Sequence, residues 1–403
     1  MSNLNETPKS NRKHIVIYGK TNSGKSSLIN RLIGQDIAIV SKEEGTTTDP
    51  VSKAMELLPA GPVLFTDTAG IGDKSSLGSL RVKKTLQCIN STDIAIYLMD
   101  INDLDFENYR EMRKEFKKFN INFILVINKI DEVDKEKIDE AERKIEEFSD
   151  DYIFVSTKED LGIIELKDKL IDILLKEEEE LPIVGDLLPY NSTVVLVIPV
   201  DSEAPKGRLI LPQVQCIRDC LDHGIKSYVV RDTELEEALK NIKNVDLVIT
   251  DSQAFKTVNK IVPESIPLTS FSMLLARQKG DIKEFIEGVN AIRNLKPGDK
   301  ILISESCTHN ISHEDIGRVK IPKLLNKFVG GELDIQFRAG HNFPEDIEEY
   351  KLVIHCGACM ITRKTVLNRI ELCREKNVNI TNYGVTISFL TDTLERSKII
   401  FNG

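Results

Sequence analysis

Short hydrophobic runs alternate with helix-like segments along the first 175 or so residues of the chain. The runs occupy residues 15–18, 63–66, 94–99, 123–127 and 153–156. Alternation of short buried strands with helices is typical of a parallel sheet that is covered by helices on both faces. The pattern therefore predicts an α/β fold with a doubly wound, mostly parallel sheet.

An acidic segment, Glu177 to Glu180, follows this region, and Pro182 and Pro189 prevent a helix from continuing beyond it. Two further sets of strand-like runs come next, at residues 194–198, 228–230 and 247–249, and then at 300–304, 333–337 and 352–354. A chain of 403 residues is too long for one core. We therefore expect three domains, at residues 1–180, 187–265 and 268–403.

Composition and charge exclude some classes of function. The chain is 41% hydrophobic and 29% charged, and no apolar run approaches the ~18 residues of a membrane span. The net charge of −10 and the absence of a basic tail argue against nucleic-acid binding. The polar first residues do not resemble a secretory signal, so we expect a cytoplasmic protein whose seven cysteines stay reduced.

A phosphate-binding loop directly follows the first hydrophobic run. The segment Gly19-Lys20-Thr21-Asn22-Ser23-Gly24-Lys25-Ser26 fits the pattern G-x-x-x-x-G-K-[ST] between a strand and a helix. Glycines allow backbone N–H groups to face phosphates, and the helix N-terminus adds a positive dipole end. We predict that Lys25 supplies charge to the phosphates and Ser26 a hydroxyl to Mg²⁺. The nucleotide-binding residues expected here are Gly19, Asn22, Ser23, Gly24, Lys25, Ser26 and Ser27.

Three more motifs follow strands in the order expected of a G domain. Asp67 to Gly70 places a carboxylate near Mg²⁺ and an N–H near the γ-phosphate. Asn128-Lys129-Ile130-Asp131 places an acid where it can accept hydrogen bonds from guanine, which selects GTP over ATP. Ser156, Thr157 and Lys158 resemble the loop that closes over the base. The motifs together predict binding of GTP and GDP and hydrolysis of GTP.

The segment Gly45-Thr46-Thr47-Thr48-Asp49, with Asn22 in the phosphate loop, resembles the potassium-activated G proteins of the tRNA-modifying MnmE type. This resemblance implies that Asn22 helps to hold K⁺ and that Thr47 closes on Mg²⁺. Together with the roles that the motifs indicate for Lys25, Asp67 and Gly70, Thr47 completes the set of residues expected to act in catalysis. Ile71 stands where Ras-type proteins carry the glutamine that orients water, so we expect water to be positioned by other groups and hydrolysis to be stimulated by K⁺.

Cysteines and histidines are concentrated in the third region. Cys307 and His309 precede a gap of 45 residues, after which come His355, Cys356 and Cys359. Gly357 is expected to permit the tight turn between the last two cysteines, and Cys373 is expected to be structural. Both groups follow predicted strands, so they would meet at the carboxyl edge of a parallel sheet. A structural zinc site, a 4Fe-4S cluster with three thiolates and unrelated core cysteines are all compatible with these residues.

The spacing C-x-H…H-C-x-x-C behind a G domain resembles the FeFe-hydrogenase maturation GTPases of the HydF family. Similar segments are Gly340 to Pro344, Tyr350 to Ile354 and Thr381 to Gly384. The resemblance implies a G domain, a dimerisation domain and a cluster domain in a homodimer.

It further implies that Cys307, Cys356 and Cys359 hold a 4Fe-4S cluster, with His309 or His355 as a possible fourth ligand. The implied role is that of a scaffold that receives a di-iron subcluster precursor from radical-SAM maturases and transfers it to the apo FeFe-hydrogenase. The alternative is a ribosome- or tRNA-associated GTPase with a structural zinc domain.

Overall fold

The chain divides into two compact units, Met1–Glu179 and Glu180–Gly403. The computed structural model describes residues 12–34, 51–68, 88–89, 91–148, 151–176, 181–200, 209–306, 315–340, 343–344, 346–358 and 361–401.

The first unit is built on a sheet with the strand order β2-β3-β1-β4-β5-β6. The β2–β3 pair is antiparallel and the other pairs are parallel, which confirms the predicted fold class. The strands are β1 Lys13–Tyr18, β2 Val51–Leu57, β3 Gly61–Asp67, β4 Ile94–Asp100, β5 Asn122–Asn128 and β6 Tyr152–Phe154. The helices are α1 Lys25–Ile33, α2 Phe106–Lys118, α3 Lys135–Glu146 and α4 Ile163–Lys176.

Alternating side chains of the central strands explain why helices cover both faces of this sheet. Ile15 and Ile17 of β1 point to one face, where they pack with α1 and α4. Val16 and Tyr18 point to the other face, where they pack with α2 and α3. A strand that is buried on both faces is hydrophobic throughout, and this made it visible in the sequence.

The second unit contains two four-stranded sheets in which all pairs are parallel, with the orders β10-β9-β7-β8 and β12-β11-β13-β14. The strands of the first of these sheets are β7 Thr193–Val197, β8 Lys226–Val230, β9 Leu247–Thr250 and β10 Leu268–Ser270. Those of the second are β11 Lys300–Glu305, β12 Asp334–Ala339, β13 Leu352–His355 and β14 Asn379–Asn382. We assigned Leu268–Ser270 to the third region. In the structure these three residues form β10, which pairs with β9 and completes the sheet of the second region.

Helices separate the strands of both sheets. Around the sheet of β7 to β10 they are α5 Leu211–Asp222, α6 Leu235–Asn241, α7 Phe255–Val258 and α8 Phe271–Lys279. Around the sheet of β11 to β14 they are α9 Ile282–Val289, α10 Ile321–Val329, α11 Arg363–Glu375, α12 Tyr383–Leu390 and α13 Leu394–Ser397. A search of the described residues found no helix with the length and apolar character that crossing a bilayer requires.

Strands β11 and β13 are neighbours, with Ser304 opposite His355 in the register. The two strands that precede the cysteine-bearing segments are therefore parallel neighbours in one sheet. The meeting of the segments themselves at its carboxyl edge stays a prediction.

Candidate nucleotide site and candidate metal centre

Two glycines of the phosphate loop have backbone conformations and surroundings that leave no space for a side chain. Gly19 has φ +142° and Gly24 has φ +97°. A Cβ at Gly19 would lie 2.2 Å from the carbonyl oxygen of Leu98, and one at Gly24 would lie 2.3 Å from Nδ2 of Asn128. The pattern of glycines in the loop is therefore required by geometry as well as by phosphate binding.

Lys25 begins α1 and is buried against the loop that precedes it. Its Nζ donates to the carbonyl oxygen of Lys20 at 2.8 Å and to that of Gly19 at 3.2 Å. Burial lowers the pKa of Lys25, and the nearby Asp67 opposes this effect. The ammonium therefore lies beside the loop whose N–H groups would bind phosphates.

A hydroxyl and a carboxylate meet at the expected magnesium position. The hydroxyl of Ser26 donates to Oδ2 of Asp67. Oδ1 of Asp67 is buried and has no hydrogen-bond partner among the described residues. Oxygen ligands of this kind suit Mg²⁺, so these two residues fit the ion. Thr47 and Gly70, which we expected to complete this site, lie outside the described residues.

Asn128 connects the phosphate loop to the loop expected over the base. Its buried side chain donates from Nδ2 to the carbonyl oxygen of Ser23 at 2.9 Å. Its Oδ1 accepts from the N–H of Thr157 at 3.1 Å. Three segments that are far apart in sequence are held together by this single amide.

The acid expected to recognise guanine is also held in place. Ser156 Oγ donates to Oδ1 of Asp131 at 2.5 Å, and Nζ of Lys158 lies 3.9 Å from Oδ2. Lys129 has φ +66° and forms an ion pair with Asp100. These neighbours therefore orient the side chain of Asp131. Recognition of guanine requires such orientation, because both carboxylate oxygens must be presented to the base.

A cleft of about 490 Å³ lies among these groups. It brings together most of the phosphate loop and parts of the other motifs: Thr21, Asn22, Gly24, Lys25, Ser26, Ser27, Asp67, Thr68, Asn128, Lys129 and Thr157. Sequence analysis missed Arg31, which donates to the carbonyl oxygens of Thr157 at 2.7 Å and Lys158 at 2.9 Å. No local motif marks Arg31, because its partners lie more than a hundred residues away.

At the carboxyl edge of the β11–β13 pair, the thiol of Cys356 accepts several hydrogen bonds. Its Sγ lies 2.7 Å from Oγ and 3.1 Å from N of Ser306, and 3.5 Å from N of Ala358. Burial raises the pKa of the Cys356 thiol, and these hydrogen bonds oppose that effect. Donors that converge on a sulfur are suited to a thiolate, the form that binds metal.

The turn after Cys356 differs in detail from the expectation. We expected Gly357 to provide the conformational freedom of the C-x-x-C turn, but the left-handed residue is Ala358, with φ +57°. The methyl group of Ala358 is buried in the core, and its N–H is directed to the sulfur of Cys356. Packing of this small side chain explains why an alanine adopts a conformation that glycine usually takes.

His355 is fully buried, and both of its ring nitrogens are engaged. Nδ1 lies 2.9 Å from the carbonyl oxygen of Cys356, and Nε2 lies 2.8 Å from Nη1 of Arg369. Burial and the neighbouring guanidinium lower the pKa of His355 to about 3, so the ring is neutral. Nδ1 then donates to the carbonyl and Nε2 accepts from the guanidinium.

Cys307, His309 and Cys359 lie outside the described residues, and the residues that are described contain no cluster of three metal-binding side chains. Of the three expected cysteine ligands, Cys356 is described, and the donors around its sulfur suit a thiolate that binds metal. Ser306, which touches the sulfur of Cys356, is the residue directly before Cys307. Cys373 is a core residue, as expected, since its side chain is completely buried.

One sheet carries all the features described for the nucleotide site: a phosphate loop, a hydroxyl and carboxylate pair suited to Mg²⁺, and an Asn-Lys-x-Asp segment. Together these features define a P-loop GTPase. Residues 14–129 match the family model described as 50S ribosome-binding GTPase. Among curated relatives, the tRNA modification GTPase MnmE of Christiangramia forsetii is 33% identical over 171 residues, which cover 39% of this chain and 36% of that protein. GTPase Der of a Sulfurihydrogenibium species is 33% identical over 166 residues, or 39% and 37% of the two chains. The chain thus spans little more than a third of these relatives' lengths.

An Era variant from Aquifex aeolicus is a similar solved structure, with a TM-score of 0.34 and 20% identity over 62% of this chain and 97% of that one. That likeness is too weak to add to the argument.

The second unit matches two further family models. Residues 183–280 match the model described as hydrogen maturase F dimerization domain, and residues 283–399 match the hydrogen maturase F tetramerization domain. These two models together span more than half of the chain, which belongs to the hydrogen maturase F family.

Proposed function

We propose that this chain is a GTP-hydrolysing scaffold of FeFe-hydrogenase maturation, which binds a 4Fe-4S cluster and transfers the di-iron subcluster precursor to the apo-hydrogenase. Membership of the hydrogen maturase F family supports the maturation role. The observation that carries the cluster proposal is the contact between the sulfur of Cys356 and Ser306, the residue next to Cys307. Ser306 and Cys356 thus meet at one edge of one sheet, and this contact supports a site to which Cys307 also contributes.

We assign Cys307, Cys356 and Cys359 as the thiolate ligands. When bound, the cluster would supply an iron with an exchangeable fourth position, to which a cargo could attach. Both ring nitrogens of His355 already have protein partners, at 2.8 and 2.9 Å. His355 would have to break one of these hydrogen bonds to bind iron, which favours His309 as the fourth ligand.

The nucleotide-site residues would act by charge and position. Lys25 would neutralise phosphate charge, Ser26 and Asp67 would hold Mg²⁺ with Thr47, and the Gly70 N–H would meet the γ-phosphate. Asn22 lies in the phosphate loop with φ +67° and lines the nucleotide cleft. We assign Asn22 to a K⁺ site that supplies the positive charge other GTPases receive from an arginine finger.

A salt comparison tests the K⁺ assignment. GTP hydrolysis should be faster in K⁺ than in Na⁺ at the same ionic strength, and Asn22→Ala should remove the difference while GDP affinity is retained. Asn30→Ala is the matched control, because Asn30 belongs to α1 and is exposed. Equal rates in the two salts for the unmodified protein would refute the assignment.

We further propose a homodimer in the cytoplasm, whose partners are the radical-SAM maturases and the apo FeFe-hydrogenase. In the sheet of β7 to β10, β8 is an edge strand, and Tyr228 and Val229 on it are about half exposed. An edge strand with exposed apolar side chains is suited to pairing with another chain. Sedimentation of the protein and of Val229→Lys tests this assignment, since a charge there should shift the protein towards monomer.

The alternative is a ribosome- or tRNA-associated GTPase with a structural zinc site. The description of the G-domain model and the MnmE relative favour it, but they concern only the part of the chain that those alignments cover. Anaerobic purification with iron, sulfide and zinc quantified distinguishes the two. A brown protein with about four irons per chain supports the cluster. A colourless protein with one zinc per chain supports the alternative.

A further inference from the structure

A buried guanidinium lies beside the candidate cluster edge. Arg369 of α11 is 4% exposed. Its Nη1 donates to His355 Nε2 at 2.8 Å and to Ser304 Oγ at 3.1 Å, and its Nη2 donates to the carbonyl oxygen of Gly340 at 2.6 Å. Its Cζ lies 5.0 Å from the centroid of the Phe343 ring. Arg369 thus connects three strands of the sheet or their ends through hydrogen bonds to neutral groups.

No carboxylate of the described residues forms an ion pair with Arg369. Two acidic side chains of the surrounding elements are already paired. Glu305 accepts from Arg318 at distances from 2.7 to 3.2 Å, and Glu284 lies 3.0 Å from Arg374. A buried charge without a counterion is strongly unfavourable, so the position calls for a negative group nearby.

Thiols are the groups that can provide this negative charge. Arg369 contacts His355, the residue directly before Cys356, and Cys373 lies four residues further along α11. Burial raises the pKa of Cys373 to about 12, so that thiol stays neutral near pH 7. Cys356 lies at the proposed cluster site, where metal binding would convert it to a thiolate.

A 4Fe-4S cluster held by three thiolates is anionic, and reduction by one electron adds one more negative charge. A fixed cation nearby stabilises the reduced form more than the oxidised form. Charge and hydrogen bonding around a cluster are among the factors that set its reduction potential.

We propose that Arg369 is the counter-cation of the cluster: a positioning residue that holds the strand ends through His355, Ser304 and Gly340 and raises the reduction potential of the bound cluster. This inference rests on the proposed function, because it requires that Cys356 ligates iron. It assigns the charge balance of the centre to one side chain of a helix that carries none of the ligands.

The test compares the full-length protein with Arg369→Gln and Arg369→Lys after anaerobic reconstitution. Iron and sulfide content are measured first, and midpoint potentials are then measured by redox titration with electron paramagnetic resonance. Arg369→Gln should shift the equilibrium for one-electron reduction by about tenfold, or about 59 mV, towards the oxidised cluster. Arg369→Lys keeps the charge and should keep most of the potential.

Arg374→Gln is the matched control. It removes the same charge from the same helix, but the side chain of Arg374 is 51% exposed, so solvent and salt screen it. Its midpoint potential should equal that of the unmodified protein.

Three outcomes overturn the inference. In the first, Arg369→Gln has full iron content and an unchanged potential. In the second, the midpoint potential of Arg369→Lys is as low as that of Arg369→Gln. This result would assign the effect to the geometry of the guanidinium and not to its charge. In the third, the unmodified protein binds no iron, and this result overturns the proposed function itself.

Discussion

The nucleotide site and the metal centre both lie at the carboxyl ends of parallel strands, but they differ in how their polar groups are satisfied. In the first unit, Lys25 is hydrogen-bonded to loop carbonyls, Asn128 to two loops and Asp131 to Ser156. In the sheet of β11 to β14, the hydrogen-bond partners of the cation Arg369 among the described residues are neutral groups. The nucleotide site therefore combines a buried cation, Lys25, with a nearby carboxylate, Asp67. At the proposed metal centre, the described residues provide a buried cation with no carboxylate beside it, so we expect charge balance there only when an anionic group binds.

Loss of a thiolate should break the metal centre completely and leave the nucleotide site intact. We expect Cys356→Ser to abolish iron and sulfide loading, because a serine hydroxyl does not replace a thiolate towards iron. GTP hydrolysis should stay near the unmodified rate, since the G-domain motifs belong to the other compact unit. Cys307→Ser and Cys359→Ser should have the same effect.

Cys373→Ser is the control for this experiment. Cys373 is a completely buried cysteine of the same region, and it packs in the core. The variant should retain iron. Full iron content in Cys356→Ser would contradict the assignment of this ligand.

A methyl group in the phosphate loop should break the nucleotide site from within. We expect Gly24→Ala to remove measurable GTP binding, because its Cβ would lie 2.3 Å from Nδ2 of Asn128. Gly61→Ala is the matched control, since Gly61 has a similar φ of +100° and open space around it. It should lower the free energy of unfolding by about 1–2 kcal/mol and leave GTP affinity unchanged. Calorimetric titration measures GTP affinity, and urea unfolding measures stability. Equal GTP affinity of Gly24→Ala and Gly61→Ala would show that the loop relieves the clash between the new methyl group and Asn128.

A change of base-recognition chemistry should alter selectivity and leave the loop intact. Asp131→Asn leaves guanine N–H groups unpaired, at about 1–3 kcal/mol. We therefore expect roughly 5- to 150-fold weaker GTP binding and better binding of xanthosine triphosphate, whose second carbonyl can accept from the new amide. Glu132→Gln is the control, because it removes the neighbouring negative charge at an exposed position that is not expected to contact the base. Unchanged GTP affinity of Asp131→Asn in a competition assay would show that Asp131 does not contact the base.

The smallest expected effect concerns a single hydrogen bond at the metal centre. Ser306→Ala removes the hydroxyl that lies 2.7 Å from Sγ of Cys356 but keeps the backbone N–H at 3.1 Å. The cluster should still load, with a midpoint potential below that of the unmodified protein, because hydrogen bonds to sulfur stabilise the reduced form. A potential that rises, or stays the same, would mean that the hydroxyl does not donate to the sulfur.

Local patterns predicted the central strands because those strands are buried on both faces and therefore hydrophobic throughout. Strand β2, Val51–Leu57, was missed because it is an antiparallel edge strand with polar residues among apolar ones. Strand β14, Asn379–Asn382, was missed because it contains a single apolar residue, although three of its four residues are buried. Burial of polar strand residues depends on hydrogen-bond partners that the sequence does not reveal.

At the nucleotide site and the proposed metal centre, too, the sequence does not reveal partners that are distant along the chain. Motifs predicted the nucleotide-binding residues because contiguous loops bind phosphate and base. Arg31 and Arg369 belong to no motif, since their partners are distant in sequence and only the folded sheet brings them together. The conformation of Ala358 likewise depends on packing, whereas sequence reasoning favoured its neighbour Gly357.

The adjacency of β11 and β13 also has a consequence for the order of events during biosynthesis. Ser306 and Cys356, which are in contact, are 50 positions apart, so this edge forms only after a long loop closes. Ribosomes release a chain from its N-terminus, and the G domain can therefore fold and bind nucleotide while these strands are still being made. If the proposed cluster ligands are correct, iron insertion would have to wait until the chain has emerged beyond Cys359. A nascent chain that is stalled before β13 should bind GTP and take up no iron.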